Sequence, residues 1–198
     1  MNNLRTRYLK MPRNERQAFI VFGAVGVMWL LLSIWLRSDL MLAFNNRNRN
    51  QSISDLIPFF LSLAGFASAY VVWRGDIQKA GLLFFAVLQT SLLLITVASQ
   101  GIAVITISAS IFLGGAIITL TFSRAWARWA YPIVTVIAGS IILIENFWPF
   151  ARSMVSQRDI QASGAVVAVL VLIYVVVVLR SFNEFSLRVK LLQVFLLV

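Results

Sequence analysis

The chain has no cysteine and no histidine, and acids are scarce, with seven Asp and Glu in 198 residues. Without thiols there is no disulfide and no cysteine nucleophile. Without imidazole there is no Ser-His pair, no phosphoacceptor histidine within these residues, and none of the ligands that zinc, iron-sulfur and haem sites normally use. Charge is sparse as well, at 12% of residues against about 25% in an ordinary soluble domain. What fills the chain instead is apolar: 60% of residues are hydrophobic and the mean hydropathy is +0.88. That is more apolar surface than a 22.2 kDa globule can hide in its own core, so lipid is the solvent for much of the chain.

The apolar residues gather into six runs, each with at most one ionisable group. They are Ala18 to Leu36, Leu56 to Trp73, Ala80 to Ala98, Ile102 to Phe122, Trp129 to Trp148 and Ala162 to Leu179. At about 1.5 Å per helical residue these suit a hydrocarbon core about 30 Å thick. The predicted fold is therefore all-α, a polytopic bundle of six transmembrane helices with the start of a seventh at the carboxyl end. Residues 1–17 form a basic cytoplasmic segment, 18–179 the membrane domain, and 180–198 a linker and further apolar helix. Pro58 is expected in the first turn after a Ser54-Asp55 cap, and Pro132 in the first turn of the fifth span. Trp35, Trp73, Trp129 and Trp148 fall at predicted ends, as an aromatic belt does. Trp29 is the mid-span exception.

Lys and Arg set the orientation. Counted over alternate connections, twelve fall on the side of the amino terminus and five on the other, so both termini are expected in the cytoplasm of a cell whose plasma membrane holds the chain. The net charge of +10 belongs to these loops and to contact with anionic lipid. It does not point to nucleic acid, because no aromatic interleaving and no folded soluble module accompanies the basic amino terminus. The sequon Asn50-Gln51-Ser52 lies in an Asn-rich loop and carries no functional assignment.

Polar residues inside the spans are the candidate ligand contacts. Glu145 is the one acid within the six runs, but it lies about 4.5 Å of helix rise from the interfacial Trp148, where water still reaches a carboxylate. A solvated structural role outweighs a cation or proton site there. Glu145 and Asn146 together mark an outward-facing polar cavity as the functional alternative. Gln89 lies at the midpoint of the third span, followed by Thr90, and its amide must find a partner inside the protein. Small-residue stripes run along the fourth helix (Thr106, Ser110, Gly114, Ile117, Thr121) and the fifth (Thr135, Gly139, Ile142, Asn146). Others pair Gly65 with Ala69 and Gly164 with Ala168. Helix packing is the primary reading of all of them.

Catalysis has no constellation to stand on. No pair of acids at one depth, no nucleophile with a base, no metal cluster and no glycine-rich phosphate loop is present, and no cofactor is expected. An enzymatic activity would have to lie outside these residues.

The carboxyl end carries the one family resemblance. After Leu179 a short basic stretch with Arg180, Arg188 and Lys190 leads into Leu191-Leu192-Gln193-Val194-Phe195-Leu196-Leu197-Val198, which reads as the opening of another span in a chain that continues. Ser186 to Val198 resembles the junction of bacterial multidomain sensor proteins, often histidine kinases, where a basic stretch enters the helix before a sensor or a HAMP-type linker. The resemblance covers 13 residues; elsewhere it is one of hydropathy. It implies a signalling input region, with a kinase or cyclase output domain beyond Val198, a homodimer, and an unknown small-molecule or membrane stimulus. Signal would pass by a population shift through Arg180 to Lys190. The alternative is a small transporter or a subunit of a membrane complex, with Glu145 and Gln89 as substrate contacts.

Overall fold

The computed structural model describes residues 11–42, 49–148 and 153–181. Six helices make up the described chain: α1 (Arg13–Leu42), α2 (Arg49–Trp73), α3 (Ile77–Ala98), α4 (Ala103–Thr121), α5 (Arg124–Phe147) and α6 (Gln157–Ser181). Five of them, α1 to α5, are long and apolar enough to cross a membrane. The Val-rich sixth run is also a helix, as expected where every backbone group must be satisfied inside its own segment. Arg188, Lys190 and the seventh apolar run lie outside the described residues.

Two proline expectations need correction. α2 begins at Arg49, so Ser54-Asp55 is not its cap and Pro58 lies within the helix. α5 begins at Arg124 and likewise contains Pro132. Apolar runs mark the part of a helix that meets hydrocarbon. The helices continue past it, because Arg124 and Arg128 can lie along an interfacial turn with their heads in water. A proline removes one N–H and one hydrogen bond, a cost that packing by neighbouring helices offsets in membrane bundles.

Short connections force neighbours to be antiparallel. α2 turns into α3 through Arg74 to Asp76, with Gly75 at φ +95°. α3 turns into α4 through Ser99 to Ile102, with Gly101 at φ +90°, and α4 into α5 through Phe122 and Ser123. α6 then returns to pack against both α4 and α1. The result is a closed ring, α1–α2–α3–α4–α6, with α5 applied to its outside against α3 and α4. The difference shows in burial: 22% of the α5 span is buried, against 44–50% of the others. Its outer face, with Trp129, Val136 and Leu143, is exposed and apolar.

The ring is filled at one end and hollow at the other. At the Asp76 end, Phe22 and Phe84 meet at a tilt of 57° with ring centroids 5.4 Å apart, and Val72 and Ile118 are fully buried. α1 and α2 approach closely because Gly65 lies against the backbone of Gly26: a Cβ added at Gly65 would stand 2.8 Å from Gly26 Cα. At the Gly101 end a two-residue parallel bridge pairs Ser99 with Ser153 and Gln100 with Met154 (β1, Ser99–Gln100; β2, Ser153–Met154). This bridge ties the α3–α4 hairpin to the segment that enters α6.

Candidate functional site

The hollow end holds a small, partly open cavity between the helices. All five ring helices line it, together with Met154 and Val155 at the bridge. Most of the wall is aliphatic, from Leu32, Ile57, Leu61 and Ile105 among others. Pro58 of α2 lies in this wall too.

Three kinds of polar group interrupt the apolar lining. Trp29 of α1 is 6% exposed, and its buried indole Nε1–H has no hydrogen-bond acceptor. An unmade bond of this sort costs about 1–3 kcal/mol, and the nitrogen has essentially no accessible surface, so it is closed off from the cavity itself. Asp159, in the first turn of α6, is the one ionisable residue of the lining among the described residues. Its neighbour Arg158 is not in the wall; the guanidinium carbon sits 4.9 Å from the ring centroid of Trp35. Hydroxyls come from Thr106, which bonds the backbone of its own helix, from Ser99 and from Ser163.

Helix geometry orders these groups by depth. Arg158 meets Trp35 at the rim. Trp29 is six residues, about 9 Å, further down α1, and Ser163 is five residues, about 7.5 Å, down the oppositely running α6. Asp159 therefore stands near the mouth, and the orphaned Trp29 N–H lies near the level of Ser163.

The residues singled out from sequence lie elsewhere. Gln89 is buried in the α3–α4 seam, where Ser110 Oγ donates to Gln89 Oε1 at 2.7 Å and Gln89 Nε2 approaches the Ser110 carbonyl at 3.4 Å. Gly114 makes room for this amide, since a Cβ there would lie 2.7 Å from Gln89 Nε2. The α4 stripe is thus a seat for α3: Thr121 abuts Gly81, Ser110 and Gly114 receive Gln89, and Thr106 faces Thr96. Thr90, next along the chain, is exposed.

Glu145 acts as a clasp: its Oε1 accepts the Gly101 N–H at 2.8 Å, which ties the end of α5 to the α3–α4 turn. Asn146 is exposed and donates back to the Ile142 carbonyl at 2.8 Å. Thr135 and Ser140 bond their own helix in the same way, as hydroxyls facing lipid must. None of Gln89, Thr90, Glu145 and Asn146 lines the cavity. Arg180 lies in the last turn of α6, while Arg188 and Lys190 fall outside the described residues.

Sequence reasoning passed over Asp159 and Ser163 and left Trp29 without a role. The signal for Trp29 was its depth, the one tryptophan far from a helix end. Asp159 looked like an ordinary interfacial acid, because only the return of α6 to α1 brings it to a cavity. Among the described residues no group of three or more acids could hold a metal ion. Comparisons with protein-family models, with curated proteins and with solved structures gave no match. The site's chemistry therefore rests on its own residues, and the described chain is a bundle of six helices, five of them long and apolar enough to cross a membrane, with a cavity at one end.

Proposed function

We propose that the chain is the ligand-binding input region of a plasma-membrane sensor, in the manner of the bacterial sensor proteins whose junction Ser186 to Val198 resembles. In this reading α6 is a sixth crossing, its 25 residues spanning about 37 Å. Both termini then lie in the cytoplasm, as the distribution of Lys and Arg favours, and the cavity opens toward the opposite side. The observation that carries the reading is that α6 forms one wall of the cavity and also leads directly to the basic linker at Arg180. An occupant preferred by one position of α6 shifts the helix toward that position, by no more than its differential affinity for the two arrangements. A homodimer would let paired α6 helices pass the shift onward.

A small transporter is the second reading, favoured by the Asp159 carboxylate at the edge of an apolar cavity. One experiment separates the two. The chain has no cysteine, so spin labels go only where cysteines are introduced. Ile20→Cys on α1 and Val176→Cys on α6 report the far end of the bundle by dipolar spectroscopy in nanodiscs. Methyl laurate, an uncharged chain ester, serves as the cavity probe. The sensor reading expects the distance distribution to shift on saturation, with no net passage of probe across sealed vesicles. Saturable uptake into vesicles overturns it in favour of transport, and an unmoved α6 with a filled cavity overturns it outright.

A further inference from the structure

We propose that the first two turns of α5 hold the headgroup of one anionic phospholipid, with Arg124 and Arg128 on its phosphate and the exposed face of the helix along an acyl chain. The inference goes beyond both readings of the cavity and needs only that α5, long and apolar enough to do so, crosses the bilayer. Charge comes first. Other cations at this end of the bundle are spent on the protein. Arg16 Nε donates to the Met11 carbonyl at 3.1 Å, Arg74 donates from Nε and Nη2 to the Tyr70 hydroxyl, and Lys79 pairs with Asp76. Arg124 and Arg128 differ. Both are exposed, and neither has a hydrogen bond or an ion pair among the described residues. The first turn of α5 holds no acid, Asp76 is already matched by Lys79, and Glu15 belongs to α1, whereas α5 is applied against α3 and α4.

Shape is the second, independent observation. Four residues apart on one helix, Arg124 and Arg128 have Cβ atoms about 5–6 Å from each other, close enough for two guanidinium forks to share one phosphodiester. Trp126 and Trp129 flank them, 50% and 64% exposed. The Arg128 guanidinium carbon stands 5.8 Å from the Trp129 ring centroid, so the indole steadies that cation at the depth where tryptophan meets headgroups. Toward the middle of the bilayer the same face continues as the exposed Ile133 and Val136. Val136 is about 10 Å of helix rise below Trp129, within one leaflet's half of a hydrocarbon core about 30 Å thick. The face is open because α5 lies outside the ring and is the least buried of the five spans. Two unmatched cations above a bare aliphatic track have the layout of a phospholipid, and their charge selects an anionic one. A zwitterionic lipid would bring its own cation against the guanidiniums, and a free phosphate would leave the track uncovered.

The test uses the full chain in neutral detergent micelles, titrated with equal amounts of phosphatidylglycerol and phosphatidylcholine, with retained lipid counted by native mass spectrometry. One phosphatidylglycerol per chain is expected to be retained over phosphatidylcholine by about 25-fold, about fivefold from each cation. Arg124→Gln and Arg128→Gln should each lower that preference about fivefold, and the two together should abolish it. Arg74→Gln removes a guanidinium already spent on Tyr70 and should leave the preference unchanged. Equal losses from Arg74→Gln and Arg128→Gln overturn the site in favour of a diffuse positive surface, and a preference indifferent to Arg124 and Arg128 overturns it outright. If the Gln variants do not fold, Arg124→Lys with Arg128→Lys keeps the charge and is expected to cost about fivefold through loss of the paired forks; no change in that variant overturns the site.

Discussion

Several polar side chains in this bundle are paired at short range, and the pairing marks them as structural. Gln89 is an example. Its amide and Ser110 exchange contacts across α3 and α4, so Gln89→Leu both loses a hydrogen bond and forces a branched side chain against the seat at Gly114. A loss of about 1 kcal/mol is expected, read as a lower midpoint of unfolding in mixed detergent; an unchanged or higher midpoint would show that the pair contributes nothing. Gly114→Ala should cost more, about 1–3 kcal/mol by overpacking, since its new methyl meets Gln89 and Val134 together. Glu145 is held by a backbone N–H. Glu145→Gln preserves an acceptor and should leave amide exchange at Gly101 slow, whereas Glu145→Ala should accelerate it. Equal rates in the two variants would mean the clasp is not what protects that amide.

Elements were legible where lipid imposes a rule on sequence. Hydrocarbon demands contiguous apolar residues, so the α4 and α5 ends fall within a few residues of the expected ones, apart from the interfacial turn before Trp129. The α4 stripe of Thr106, Ser110 and Gly114 was legible as packing for the same reason: small residues let backbones approach. The start of α2 was not, because nothing in Arg49 to Asp55 distinguishes an interfacial helical turn from a polar loop. Close approach predicts a contrast between glycines. Gly65→Ala should splay α1 from α2 and lower the yield of folded protein, since its Cβ meets backbone at Gly26, while Gly23→Ala, with nothing within 4 Å, should be tolerated. Similar yields for both would contradict the α1–α2 seam.

The turn before α3 adds a pH dependence. Asp76 accepts the Lys79 N–H at 3.0 Å and pairs with its ammonium at 2.6 Å. The side-chain bond to Lys79, reinforced by its backbone N–H, holds the Asp76 carboxyl below its ordinary value. A carboxyl depressed in the folded state stabilises it fully above the ordinary carboxylate range, and that contribution is lost as pH falls through the depressed value. Asp76→Asn should therefore flatten the acid limb of thermal stability; an identical limb in both proteins would assign the acid sensitivity to other groups.

At the scale of the whole molecule, the ring closed by α6 creates what no single element contains. The cavity draws on all five ring helices, and its Leu and Ile residues look in sequence like any lipid-facing ones, which is why the wall could not be read in advance. Aromatic packing of Phe22 and Phe84 seals one end, and the absence of comparable bulk at the other leaves space between Trp29 and Ser163. The ring has this meaning only if α6 crosses the bilayer beside α1. Single cysteines at Gln100, Ser123, Gln157 and Ser181 in the cysteine-free chain, probed on intact cells with an impermeant maleimide, test that directly. The account predicts labelling of Gln100→Cys and Gln157→Cys from outside, and of Ser123→Cys and Ser181→Cys only after permeabilisation. Labelling of Ser181→Cys from outside would contradict it, leaving five crossings and no route from the cavity to a cytoplasmic linker.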